Sequence, residues 1–116
     1  MPISIRFILI FSLISSILQG DERESFMSEY EYGEMLYKNP RGISCVACHG
    51  DAGEGKTIVE YHDRDGKHTL HGSDIRKSNL ATMIKALNGY HDVMPRYYLT
   101  NDEIEAIYKY LRQKLY

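Results

Sequence analysis

Beyond Cys45 and Cys48 the chain of 116 residues has no cysteine, so once those two are engaged nothing remains for a structural disulfide. A basic excess is also missing: 14 Lys and Arg stand against 16 Asp and Glu, a net charge of −2. That balance provides no electrostatic footprint for nucleic acid. No apolar run reaches the roughly twenty residues that a bilayer span needs. There is no internal repeat and no low-complexity linker, and the length allows one compact domain rather than several.

The first twenty residues differ from the rest. Arg6 precedes Phe7-Ile8-Leu9-Ile10-Phe11-Ser12-Leu13-Ile14-Ser15-Ser16-Ile17-Leu18, an apolar stretch of about a dozen residues behind a weakly basic start, which is the layout of a secretory signal peptide. The composition switches after Gly20 to Asp21-Glu22-Arg23-Glu24, and this junction is the expected cleavage point. Leu18 is bulkier than the small residue usual before such a cut, so an uncleaved membrane anchor stays open. No cysteine follows the apolar run, which argues against a lipid-anchored lipoprotein. Residues 1–20 therefore read as signal peptide or anchor and residues 21–116 as the functional domain. Without Arg6, 13 basic side chains face 16 acidic ones.

What is present is Cys45-Val46-Ala47-Cys48-His49, two thiols three positions apart followed directly by an imidazole, the attachment spacing of a c-type haem. Within about one helical turn both sulfurs reach the vinyl edges of the porphyrin, and the histidine falls beneath the iron as proximal ligand. A dithiol redox pair or half of a zinc site uses the same cysteine spacing. Export into an oxidising compartment would push free thiols towards a disulfide, and thioether capture removes that fate. A domain of about 96 residues buries only about two-thirds of its unfolded surface. A covalently held macrocycle at its centre would compensate, and without it the domain should fold poorly.

Residues from about Ser25 to Lys38 read as a first helix, with Phe26, Tyr30, Gly33 and Tyr37 on one stripe and Asn39-Pro40 as its stop. Gly33 costs about 1 kcal/mol in a helix interior, which calls for close approach of another helix. The acidic run from Asp21 to Glu34 reads as a solvated helix face or as a means of steering a positively charged partner. Gly50-Asp51-Ala52-Gly53-Glu54-Gly55 reads as a loop; a phosphate cradle is excluded, since the P-loop lysine-serine pair is absent. Thr57 to His62 and His68 to Leu70 suggest a short hairpin whose turn takes its positive φ from Asp65-Gly66. Ser78 is a plausible N-cap for a helix from Asn79 to about Asn88, with Leu80, Met83, Ile84 and Leu87 as its apolar face and Gly89 as its end. Thr100-Asn101-Asp102-Glu103 is a capping box opening a final helix that carries Ile104, Ile107, Tyr108, Leu111 and Leu115.

A sixth ligand to the iron is offered by Met94, directly before Pro95 and just ahead of the capped last helix, where the proline stiffens the backbone that would present the sulfur. Packing is the commoner use of a methionine, but a haem motif upstream reverses those odds. His62, His68, His71 and His91 are each expected to be solvated, with His91 the least improbable substitute for Met94. Tyr97 and Tyr98 are expected either to donate to a haem propionate or to pack, and Arg96 either to pair with a propionate or to lie free on the rim.

Taken from Gly33 to Leu115, this order of elements resembles the class I family of small mono-haem cytochromes c. The resemblance implies a mainly α, cytochrome c-like fold of three or more helices around one covalently bound haem c, with the hairpin as a possible insertion. It implies that Gly33, Tyr37, Tyr108 and Leu111 form the crossing of the first and last helices. Cys45, Cys48, His49 and Met94 would be the cofactor-binding residues, with His49 and Met94 on the metal, and no residue would act catalytically. Many relatives have a proline after the motif whose carbonyl holds the proximal histidine. Here no proline lies between Gly50 and Val93, so the group that orients His49 is open, although a second-nitrogen acceptor should exist. The expected role is an exported, periplasmic or membrane-anchored, monomeric carrier, not an enzyme, passing single electrons between respiratory redox proteins. Membrane association is expected only through the N-terminal segment. The alternatives are a haem-based sensor or small-ligand binder, or the electron-entry subunit of a larger oxidoreductase.

Overall fold

A computed structural model describes residues 26–116; the proposed signal segment lies outside them. Among the described residues the order is α1 (Glu29–Lys38), α2 (Val46–His49), β1 (Lys56–Asp63), β2 (Gly66–Gly72), α3 (Leu80–Asn88) and α4 (Asn101–Gln113). None of these helices is long and apolar enough to cross a membrane.

The first helix starts later than its apolar stripe suggests. Ser28 accepts from the Glu31 amide and Glu31 reaches back to the Ser28 amide, a complete capping box, which satisfies two otherwise orphaned donors. Phe26 lies outside the helix and fully exposed. Asn39 closes α1, and buried Pro40 leads into Arg41, whose φ of 61° is left-handed. Its guanidinium grips both oxygens of Glu103 at 2.7 and 2.8 Å and the Tyr98 carbonyl at 3.0 Å. Those contacts offset the backbone strain and tie the end of α1 to the start of α4.

Helix α4 has the expected capping box of Thr100 and Glu103. It crosses α1 where a Cβ on Gly33 would come within 2.8 Å of Tyr110 Cβ and would collide with the Ala106 carbonyl. Only glycine permits that approach. Tyr110, rather than Tyr108, forms the aromatic part of the crossing, its ring 5.5 Å from Tyr37 and 5.2 Å from Tyr30. Tyr108 is two residues earlier, about 200° around the helix, where Arg112 lies 5.2 Å over its ring. Leu36, Tyr37, Ile104, Ile107, Tyr110 and Leu111 are the centre of the core, joined by Met83 and Leu87 of α3 and by Tyr97 and Leu99. Lys109 on α4 pairs with Glu29 on α1 at 2.7 Å across the outer face.

Asn79, not Ser78, caps α3, its side chain accepting from the Thr82 amide at 2.8 Å. The hairpin is longer than its pattern suggests and contains a bulge between Thr57 and Val59. Its two-residue turn is Arg64-Asp65, closed by Asp63 opposite Gly66, and Gly66 at φ 118° is the first residue of β2 rather than part of the turn. In β1 every residue but Ile58 is solvent-exposed, whereas in β2 His68 and Leu70 are half-buried and Gly72 is buried. Only the base of the hairpin, next to α2, meets the rest of the protein closely.

Candidate functional site

Helix α2 is a single turn, and a turn suffices to bring Cys45, Cys48 and His49 to one wall. Two adjoining cavities of about 200 and 240 Å³ open along it. Both are bordered by Cys45, His49, Ser73 and Met94. The first adds Ser44, Cys48, Ile58, Val93, Pro95 and Tyr97, and its rim is exposed at Val93. The second is walled by Tyr37, Met83, Leu87 and Ile107 of the core together with Ile75. Met94 from the loop between α3 and α4 thus shares one apolar slot with the thiols and imidazole of α2.

His49 Nδ1 donates to the Ser73 carbonyl at 2.8 Å. With Nδ1 as the protonated nitrogen, the lone pair is on Nε2, the tautomer that a metal-bound imidazole requires. Ser73 directly follows β2, so the acceptor expected for His49 is a backbone oxygen at the end of the hairpin. The turn itself is braced from two sides. The Tyr37 hydroxyl donates to the Gly50 carbonyl at 2.6 Å, and the Tyr97 hydroxyl donates to the Ile43 carbonyl at 2.6 Å. Burial pushes the Tyr37 phenol well above its ordinary range and Tyr97 up to about 12, so both are neutral donors at all ordinary pH.

Both cysteines are unpaired. Burial pushes the Cys45 thiol up to about 11, which leaves it protonated near neutrality. Among the described residues no group of three or more His, Cys, Asp and Glu side chains is placed to hold a metal ion, so a second half of a zinc site is not supplied there. Two thiols, an imidazole with a free Nε2 and a thioether around a largely apolar slot form a donor set that fits one covalently attached haem.

The other sequence candidates fall elsewhere. His91 Nε2 donates to the Ala86 carbonyl at the end of α3, 2.7 Å away. His68 bonds Asp63 at 2.8 Å and stacks on Tyr61 at 5.1 Å; His62 and His71 are exposed on the strands. Arg96 lies 4.4 Å over the ring of Tyr90 and 5.7 Å over that of Tyr98. Tyr98 itself is exposed. Reasoning from residue types missed Ser73, because a backbone carbonyl has no side-chain signature. It also missed Ile58, Ile75 and Ile107 as cavity walls, although Ile107 belonged to the recognised stripe of α4.

The cytochrome c family model matches residues 30–114, from the first turn of α1 to the end of α4. No curated protein and no solved structure matches the chain.

Proposed function

Since the chain belongs to the cytochrome c family, which binds covalently attached haem c and serves haem-based electron transfer, we propose that it is an exported mono-haem carrier of single electrons with Cys45 and Cys48 as attachment points and His49 and Met94 as axial ligands. The observation that carries this reading is the shared border of the two cavities: Cys45, His49 and Met94 line both. A bound haem supplies an iron that alternates between ferrous and ferric states one electron at a time.

The chain's own residues hold, orient and exclude. Cys45 and Cys48 would hold the ring on α2 through thioether bonds, and the Ser73 carbonyl sets the tautomer of His49. Met94, stiffened by Pro95, would supply the second ligand to the iron, and a thioether there would raise the reduction potential relative to more basic donors. Met83, Leu87 and Ile107 give the second cavity apolar walls, while the exposed rim of the first at Val93 leaves an edge near solvent for brief docking of redox proteins. Residues 1–20 serve as an export signal that releases residues 21–116 to the periplasm, an uncleaved anchor being the alternative. The protein works as a monomer and needs no general acid or base.

Protein matured in an exporting host should show the mass of chain plus haem and the weak near-infrared sulfur-to-iron band in its ferric spectrum. Met94→Ala should abolish that band and open the ferrous protein to carbon monoxide. A wild-type protein that binds carbon monoxide rapidly at neutral pH overturns the closed ligand pair in favour of a small-ligand sensor. Only the bare chain's mass, from cells able to attach haem, overturns the reading altogether.

A further inference from the structure

The hairpin is an oddity in energetic terms. Two strands alone are marginal in water, and in these only Ile58, His68 and Leu70 have half-buried side chains. Cross-strand pairs join Val59 with Leu70 and Tyr61 with His68, and Val59, Tyr61 and Leu70 are not among the residues that form the core or pack against it. Every close contact is at the base. The Gly55 amide, just before β1, donates to the His49 carbonyl at 2.7 Å. Gly72, the last residue of β2, is buried against Cys48, where a Cβ would stand 2.5 Å from the Cys48 carbonyl carbon and collide with its oxygen. A contact between two backbones has no flexible side chain to yield, so only glycine fits. One residue further, the Ser73 carbonyl meets His49 Nδ1, and two beyond that the Ile75 amide donates to the Gly53 carbonyl at 2.9 Å. Residues 72–75 are thus clamped at both ends, and the clamp aims one carbonyl at one ring nitrogen.

We infer that the hairpin is a positioning device for His49: the seat of Gly72 on Cys48, fixed by the register of β2 against β1, holds the Ser73 carbonyl where it keeps the imidazole oriented and basic. The inference rests on His49 being an iron ligand, as proposed above. A hydrogen bond from Nδ1 makes the imidazole a stronger donor, and a stronger donor favours the ferric state. Losing the bond therefore raises the reduction potential. Ser73 and Gly72 are positioning residues, acting only through His49.

The test uses the full-length haem protein. Gly72→Ala forces β2 off the haem turn, and the ferrous-to-ferric ratio at a fixed poise should rise by roughly threefold to tenfold, tenfold being about 59 mV for one electron. Replacing His62–Lys67 by Asn-Gly removes the tip, preserves register and the Tyr61–His68 pair, and should leave the potential unchanged. A potential that does not move in Gly72→Ala, or that moves equally when the tip is shortened, overturns the proposal. If Gly72→Ala fails to mature, nitrogen NMR of the wild type decides. In the ferrous protein the His49 Nδ1 proton should be visible and protected from exchange; exchange at the rate of a solvent-exposed imidazole overturns the device. A His49 ring without hyperfine shift in the ferric protein is a different failure, since it removes the ligand itself.

Discussion

The crossing of α1 and α4 and the base of the hairpin use the same device for different ends. In each, a glycine lets one backbone touch another, Gly33 on Ala106 and Gly72 on Cys48. Around Gly33 the contact is embedded in Leu36, Tyr37, Ile104, Ile107, Tyr110 and Leu111, all at most 2% exposed. Apolar burial of that kind contributes about 1.5–3 kcal/mol per large side chain. Around Gly72 the surroundings are hydrogen bonds and solvent-exposed strands. The crossing therefore sets whether the domain folds, whereas the hairpin base sets how one side chain points.

The strongest way to break that contrast is Gly33→Ala. The added methyl meets backbone on the buried face of α4, among Ile107, Tyr110 and Leu111, so overpacking should cost at the upper end of its usual 1–3 kcal/mol or beyond. Thermal unfolding should show a large fall in Tm and the yield of haem-loaded protein should drop. A Tm close to wild type would mean that α1 and α4 part easily, and the contrast with the hairpin would collapse.

The two regions also differ in how well residue types announce them. Around the crossing, the Thr100-Glu103 box and the recurrence of Ile104, Ile107 and Leu111 are side-chain patterns, and they were legible. The attachment motif and Met94-Pro95 are side-chain signals of the same kind, and the structure brings Cys45, His49 and Met94 to the border of the same cavities. The errors there are short-range competitions between similar residues. Ser28 caps α1 because Glu31 stands three residues on, although Phe26 prolongs the apolar spacing backwards; Asn79 displaces its neighbour Ser78. Tyr110 replaces Tyr108 because the small residue facing Gly33 is Ala106, four positions before Tyr110 and so on the same face. At the hairpin base the decisive groups are backbone: a carbonyl at Ser73, an amide at Gly55 and the absent side chain of Gly72. No residue-type rule marks them.

A smaller test sharpens the helical side of the comparison through charge. Hydrogen bonds from Arg41, then those from Thr100, hold the Glu103 carboxyl at about 2 against an ordinary 4.5. A depressed folded value means that the contribution to stability is complete above pH 4.5 and is lost as pH falls through about 2. Glu103→Gln removes the charge that pairs with Arg41 while the glutamine oxygen can still close the capping box with Thr100, so about 1 kcal/mol is expected from the bidentate ion pair alone. Melts recorded from pH 7 downwards should show the widest gap between wild type and variant above pH 4.5, closing towards pH 2. A gap that persists undiminished in acid would show that shape, not charge, is what Glu103 contributes at the joint between α1 and α4.

The smallest effect belongs to the exposed face of the hairpin, and its smallness is the point. Tyr61 is half exposed and stacks only on His68, while Val59 faces Leu70 across the strands. Substituting Tyr61→Thr keeps β propensity and removes one cross-strand pair, a term of about 0.2–1 kcal/mol that acts on the hairpin alone. If hairpin and core unfold together, Tm falls by that small amount. If the hairpin opens independently, global Tm stays put while amide exchange at Glu60 and Thr69 speeds up. The second outcome is expected, because the core contacts of β1 and β2 end at their base. It would also mean that the strands can fray at the tip while Gly72 stays seated on Cys48, the separation of roles on which a fixed Ser73 carbonyl depends.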